Sequence, residues 1–281
     1  MGKYSATADL VSASWQILKK DKKLLVFPLI SVICCLLVSA SFVLPWLSNG
    51  QWQPFGLHLR NKGTLYYLAL FLLYFCNYFI IVFFNAALVA CAAIRMGGGD
   101  PTLGDGFRAA VTRLPLIAVW ALFSGTVGLI LRLIEDRAGI FGRIVAGILG
   151  LAWSLASLLV IPILVIDQQD PITALRNSAS LLKKTWGEEL LANFSFVVIS
   201  VALAIPAFFL VAFGIIGGII SGKVMPVTVS SSLAVVYLFI ISLVISALKT
   251  IFQAALYLYV RHDQVPAGFQ AELLQNVMTR G

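Results

Sequence analysis

Residues 190–220 read LLANFSFVVISVALAIPAFFLVAFGIIGGII, a run with no charged side chain. As a helix rising 1.5 Å per residue it would reach roughly 46 Å. A hydrocarbon core about 30 Å thick needs only about 20 such residues. A helix apolar on every face suits lipid better than the surface of a soluble core. Working outward, comparable runs occur at Leu24–Leu47, Leu65–Ile94, Leu114–Leu133, Ile140–Ile166 and Val227–Val260, which with Leu190–Ile220 make six. Backbone groups in lipid must pair internally, so the runs are expected to be helices; the alternating ten-residue segments of a barrel are absent. The expected fold is all-α: a polytopic bundle of six transmembrane helices forming one integral membrane domain over residues 1–281. Several runs exceed the minimum, so tilt or protruding ends are expected.

Composition agrees. The chain has 281 residues, 60% hydrophobic and 11% charged, with a mean hydropathy of +0.97; a soluble domain carries about 25% charged residues. Cys34, Cys35, Cys76 and Cys91 all fall inside the runs, in no metal-binding spacing, and read as small packing residues. The first run is too long for the apolar core of a cleaved signal and is expected to insert as an uncleaved anchor.

Thirteen of the 20 Lys and Arg fall on one side of the six spans and six on the other, with Lys249 inside the last span. The positive-inside rule then places both termini in the cytoplasm, and the expected location is the cell's inner membrane. The net charge of +8 suits anionic lipid headgroups as partners and requires no nucleic acid.

The spans are organised in three pseudo-repeats, near 5–95, 101–167 and 171–261, each led by an amphipathic helix on the cytoplasmic side. Residues 7–14 match 173–180 at Thr, Ala, Ser, Ala and Ser without a gap. Asp100-Pro101 parallels Asp170-Pro171, and Phe84-Asn85-Ala86-Ala87-Leu88 parallels Phe252-Gln253-Ala254-Ala255-Leu256. In the third leading helix, Ile172, Leu175, Ala179, Leu182 and Trp186 oppose Arg176, Asn177, Lys183 and Lys184. The first sets Leu10, Val11, Trp15, Ile17 and Leu18 against Asp9, Ser12, Gln16 and Lys20. The second carries Leu103, Phe107, Val111 and Leu114, and a fourth interfacial helix is expected near 266–278. Such helices lie flat among headgroups, with Trp15, Lys19, Lys20, Lys183, Lys184 and Trp186 as the lipid-facing residues; packing against the ends of the spans is the compatible alternative.

Ionisable residues inside a membrane are functional candidates by default. Lys249 is the one that stands out, twelve residues before Arg261 and so about 18 Å from it, near the expected midplane. Gln253 follows one turn later. Asn85 is its counterpart in the second span, with Asn77 two turns earlier. These four form a candidate intramembrane polar site, facing an anion such as a lipid phosphate or, alternatively, locking helix packing. Gly214, Gly218 and Gly222, like Gly142, Ala146, Gly150 and Ser154, recur every four residues and would let backbones approach. Pro28, Pro162 and Pro206 would kink their helices.

Nothing in the chain assembles a catalytic constellation, a phosphate-binding loop, a metal site or a cofactor site. His58 and His262 fall on opposite sides of the expected membrane.

Phe84-Asn85-Ala86-Ala87-Leu88-Val89-Ala90-Cys91-Ala92, the turn from Gly97 to Pro101, and Ser178-Ala179-Ser180-Leu181-Leu182-Lys183-Lys184-Thr185-Trp186-Gly187 resemble a family of uncharacterised prokaryotic multi-pass membrane proteins, a domain of unknown function, over most of the chain. Residues 161–187 more weakly resemble the membrane domain fused to some glycerophosphodiester phosphodiesterases. Neither resemblance brings a catalytic residue. The expected function is that of a non-enzymatic membrane component that organises or assists, with a membrane-protein partner or a second copy as binding partner. The alternative is a binding site or pathway for lipids or amphiphilic anions centred on Lys249.

Overall fold

Among the described residues, six helices long and apolar enough to cross a membrane lie where the runs predict them, at Lys22–Phe42, Leu68–Met96, Leu114–Glu135, Phe141–Asp167, Ile199–Ser221 and Met225–His262. The computed structural model describes residues 3–48, 64–137, 139–184 and 189–262, and no strand occurs among them. The expected C-terminal helix near 266–278 lies outside the described residues.

The elements are α1 (Lys3–Lys20), a 3-10 turn (Lys22–Leu25), α2 (Val26–Ser48), α3 (Thr64–Met96), α4 (Leu103–Thr112), α5 (Leu114–Arg137), α6 (Gly139–Ala156), α7 (Val160–Pro162) running into a π-helical turn (Ile163–Asp167), α8 (Pro171–Lys184), α9 (Glu189–Ser221) and α10 (Met225–His262). Contacts divide the chain into two compact units: Val26–Lys184, and Met1–Leu25 with Thr185–Gly281.

In the first of these units α3 packs on α2, α4 and α5, and α5 pairs with α6. Phenylalanines 71, 75, 79 and 83 climb one side of α3 with ring centroids 6.2–6.4 Å apart. Between α5 and α6, Trp120 and Trp153 stack at 5.7 Å, while Gly142 and Ala146 are buried and Gly150 comes close to Leu131. Gly125 of α5 lies beside Phe75 of α3. Arg113 is twelve residues from Gly125 and Ala87 twelve residues from Phe75, so in these antiparallel helices the two share a level. From Ala87, α3 runs on to Met96, about 14 Å further. That overhang carries the apolar Ala86–Ala92 stretch, all buried, and α4 seals it. Gly106 meets Ala87, Cys91 and Phe27 so closely that no side chain fits, and Phe107 packs on Phe27 and Phe84 with ring centroids 5.6 and 5.9 Å away.

The ends of these elements follow from local chemistry. Gly98 has φ +88°, which glycine adopts at no steric cost. It lets the Gly99 N–H reach the Ile94 carbonyl at 3.0 Å and close α3. Arg95 bonds the Gly99 carbonyl at 3.3 Å and Asp100 at 2.6 Å across that turn. Thr102 and Asp105 form a reciprocal capping box at the start of α4. Asp170 accepts the Ile172 and Thr173 N–H groups at 3.1 and 3.0 Å and starts α8.

Pro162 loosens its helix as expected, whereas Pro28 sits in the first turn of α2 and α9 continues through Pro206. A proline has no N–H and crowds the preceding turn. The helix accordingly breaks after Ala156 and resumes as α7 and the π-helical turn, ending at Gln168 with φ 55°. The break frees the Leu159 N–H, which donates to the Ser178 hydroxyl of α8 at 3.1 Å, both residues being fully buried.

The leading helices seat on protein through small residues. Counted from their caps, Thr102 and Asp170, buried positions fall four and eight residues on: Gly106 and Ala110 in α4, Ala174 and Ser178 in α8. Arg108 then pairs with Arg176. Aligning the Asp-Pro pairs misses this register by two residues, because the cap of α4, Thr102, comes two residues after Asp100, whereas Asp170 is itself the cap of α8. Much of the expected apolar stripe is not the seat: Val111 is 56% and Ile172 58% exposed.

In the other unit α9 and α10 form a hairpin, and α1 packs on both. Gly214 lies against Ser230 and Pro226, and Gly218 against Val227, with no room for a Cβ; Gly222 makes the turn at φ +61°. Small residues thus bring these two backbones together. Among the described side chains of α1, Ala13, Ser14, Ile17 and Leu18 are buried. Setting Ser14 opposite Ser178 also lays Leu18-Lys19-Lys20 over Leu182-Lys183-Lys184 without a gap.

Candidate functional site

Two features of the chain invite a site: polar groups on the long helices and the charged surface of the short ones. On α10, Lys249 and Gln253 lie one turn apart and are half-buried. Among the described residues neither makes a hydrogen bond or an ion pair. Asn85 on α3 is likewise half-buried without a polar partner among the described residues. Asn77 is engaged. Its amide donates to the Leu73 carbonyl at 2.9 Å, its side-chain oxygen accepts from the Ser39 hydroxyl at 3.4 Å, and its carbonyl faces the Cys35 thiol at 3.8 Å. Asn77 therefore ties α3 to α2. The asparagines belong to one unit, and Lys249 and Gln253 to the other.

The short helices carry the charge. Lys19, Lys20, Lys22, Lys23, Arg108 and Arg176 are exposed. Four described acids near them are committed to local structure. Asp100 binds Arg95, and Asp21 is buried. The Thr102 backbone N–H, followed by its hydroxyl, holds the Asp105 carboxyl below its ordinary 3.8. Asp170 is held low chiefly by Thr173, through its side chain and then its N–H. Among the described residues, the exposed charge left on the short helices of each unit is predominantly cationic. Trp186 lies outside the described residues, as do the side chains of Lys183 and Lys184.

Trp15 is 39% exposed, and the Lys19 ammonium stands 5.5 Å from its ring centroid, within range of a cation–π attraction. Trp15 also lines an open groove of about 450 Å³, walled by α1, α9 and α10. Ile199 and Leu203 come from α9, Ile241 and Leu248 from α10, and Ser12 supplies a hydroxyl. The volume is ligand-sized, within the range of about 300–1,000 Å³ typical of small-molecule pockets.

Residue spacing picked out Trp15 and Lys19 but not this groove. Its α9 and α10 walls come from ordinary aliphatic positions more than 180 residues from Trp15, and no pattern distinguishes Ile241 from its neighbours. Ser178 was legible only as a repeat position. Its role depends on the break made by Pro162, which a composition pattern locates but does not connect to a partner.

No curated protein and no solved structure matches the chain. The profile of the family described as "Family of unknown function (DUF6159)" matches residues 64–268, and the chain belongs to that family.

Proposed function

We propose that the protein is a non-enzymatic, multi-pass component of a cell's inner membrane, with both termini cytoplasmic, that organises anionic lipid and docks membrane partners through its short helices. The observation that carries this reading is the charge balance among the described residues of those helices: Lys19, Lys20, Lys22 and Lys23 in one unit and Arg108 and Arg176 in the other are exposed, while Asp21, Asp100, Asp105 and Asp170 are occupied in burial, an ion pair or caps. Each such cation near an anionic leaflet contributes about 1 kcal/mol. The outward position of Val111 and Ile172 gives α4 and α8 apolar edges to set into the interface. Each short helix packs on the long helix that precedes it, α4 on α3 and α8 on α6 and α7, while α1 packs on the last, α10. That order, with the shared cap-to-seat spacing, supports three pseudo-repeats, with the chain as one domain.

Crosslinking in native membranes followed by mass spectrometry tests the docking role. A reproducible partner or homo-oligomer joined through α1, α4 or α8 is expected, and recovery of neither would refute it. The second reading, a pathway for lipids or amphiphilic anions at Lys249, is favoured by the half-burial of that lysine beside the groove residue Leu248. Liposomes separate the two. Lipid scrambling or anion flux by the wild type that Lys249→Met removes supports the pathway; absence of flux supports the organising role.

A further inference from the structure

We propose that the groove between α1, α9 and α10 seats one acyl chain of an anionic phospholipid, whose phosphate is held by Lys19 beside Trp15. This rests on the lipid-organising reading above and gives it a place and a ligand class.

Depth is the first argument. From Met225 to Ser246, α10 is predominantly exposed and apolar, and from Ala247 to Tyr259 ten of the thirteen side chains are buried and none is exposed. The exposed stretch is about 33 Å long at 1.5 Å per residue, close to one hydrocarbon core. The core therefore ends beside Leu248. Lys249 stands at that boundary, not at the midplane that its distance from Arg261 suggests. The groove residues Ile241 and Leu248 then occupy the last turns within hydrocarbon. Trp15 falls at the interface, where tryptophan is enriched.

Chemistry is the second argument. The groove walls are aliphatic, as an acyl chain requires, and the space is of ligand size. Ser12 lines it with a hydroxyl, and the Lys19 ammonium stands over Trp15, another of its lining residues. Lys20, Lys22 and Lys23 follow, all exposed, while the intervening Asp21 is buried. A zwitterionic headgroup would bring its own cation to this cluster; an anionic one brings only the charge that the cluster complements. The end of α1 adds a weak negative pole that the lysines themselves offset.

The test places the full-length protein in nanodiscs containing chain-brominated phosphatidylglycerol or chain-brominated phosphatidylcholine. Bromine quenches an indole in contact with it, and the Trp15 share is isolated by difference from Trp15→Phe. Trp15 is expected to be quenched preferentially by the glycerol lipid. Lys19→Gln should lower that preference by about fivefold, the equivalent of one well-placed cation. Val244→Phe, which narrows the groove, should reduce Trp15 quenching by both lipids while circular dichroism keeps its helical signal. Equal quenching by the two lipids would mean ordinary surrounding lipid and would overturn the proposal. Quenching by neither would mean that protein covers the groove, and would equally overturn it. A preference that survives Lys19→Gln would place the phosphate elsewhere and also overturn it. Partner crosslinking and liposome flux do not depend on Trp15 fluorescence, so failure here is distinguishable from failure of the organising role.

Discussion

Replacing Gly106 with alanine tests how α4 is held. The added methyl would stand 2.6 Å from Cζ of Phe27, 2.7 Å from the Cys91 sulfur and 2.9 Å from the Ala87 carbonyl oxygen. The carbonyl belongs to the backbone of α3, so α4 itself must lift. Overpacking of this kind costs about 1–3 kcal/mol, while alanine returns up to about 1 kcal/mol over glycine through helix propensity. With three neighbours obstructing at once, the net loss is about 1–2 kcal/mol, or roughly 2–8 °C in melting temperature for a chain of this size. Gly104 is the internal control. Its added methyl meets only the Thr102 hydroxyl, at 3.6 Å, an ordinary contact. Gly104→Ala should therefore leave stability unchanged or raise it by up to about 1 kcal/mol. Both variants would be melted in the same detergent, and the rate of maleimide attack on Cys91, which lies beneath Gly106, would be followed. Gly106→Ala should melt lower and label faster. A melting point at or above wild type, or an equal fall in Gly104→Ala, would refute the reasoning.

Ser178→Ala should destabilise by about 1–3 kcal/mol, because it orphans the buried Leu159 N–H; chemical denaturation showing no change would mean that another acceptor replaces the hydroxyl. Gln168→Gly should raise the melting temperature, since the left-handed backbone there costs a non-glycine residue about 1–2 kcal/mol, and a fall would show that the glutamine side chain outweighs that strain. The caps of α4 and α8 should fail in acid. Asp105 and Asp170 have folded values below their ordinary 3.8, so their contribution is complete above that value and disappears as pH falls through the depressed one. Melting curves from about pH 5 to about pH 3 should show this loss, with a shallower slope in Asp170→Asn; an identical slope would remove Asp170 from the account.

The long helices were legible because lipid makes a length-and-composition rule nearly sufficient. The run Leu114–Leu133 became α5, Leu114–Arg137, and Val227–Val260 became α10, Met225–His262. What the runs hide is where lipid stops. Ala86–Ala92 is as apolar as any membrane segment, yet α4 and its neighbours supply its surroundings. Apolarity records burial and does not distinguish oil from protein. Periodicity likewise identified the leading helices but favoured their larger apolar residues as the seat, whereas close approach to α3 selects Gly106 and Ala110. The shared Asp-Pro pairs gave a plausible repeat register, but a helix begins at its cap, and the caps are Thr102 and Asp170. For the candidate polar site, spacing put Asn77 and Asn85 on α3. Only geometry gave Asn77 a task in binding α2.

The seating of α1 on α9 and α10 has a consequence for biogenesis. α1 is synthesised before both of the helices that carry its binding surface, α9 and α10. Trp15 must wait for Ile240 and its neighbours, roughly 11–45 s later at about 5–20 residues per second. Throughout that interval α1 has no seat, and four lysines within residues 19–23 are what it has to keep it at the bilayer. A nascent chain arrested before residue 240 should therefore leave α1 open to protease, and synthesis of α9 and α10 should close it.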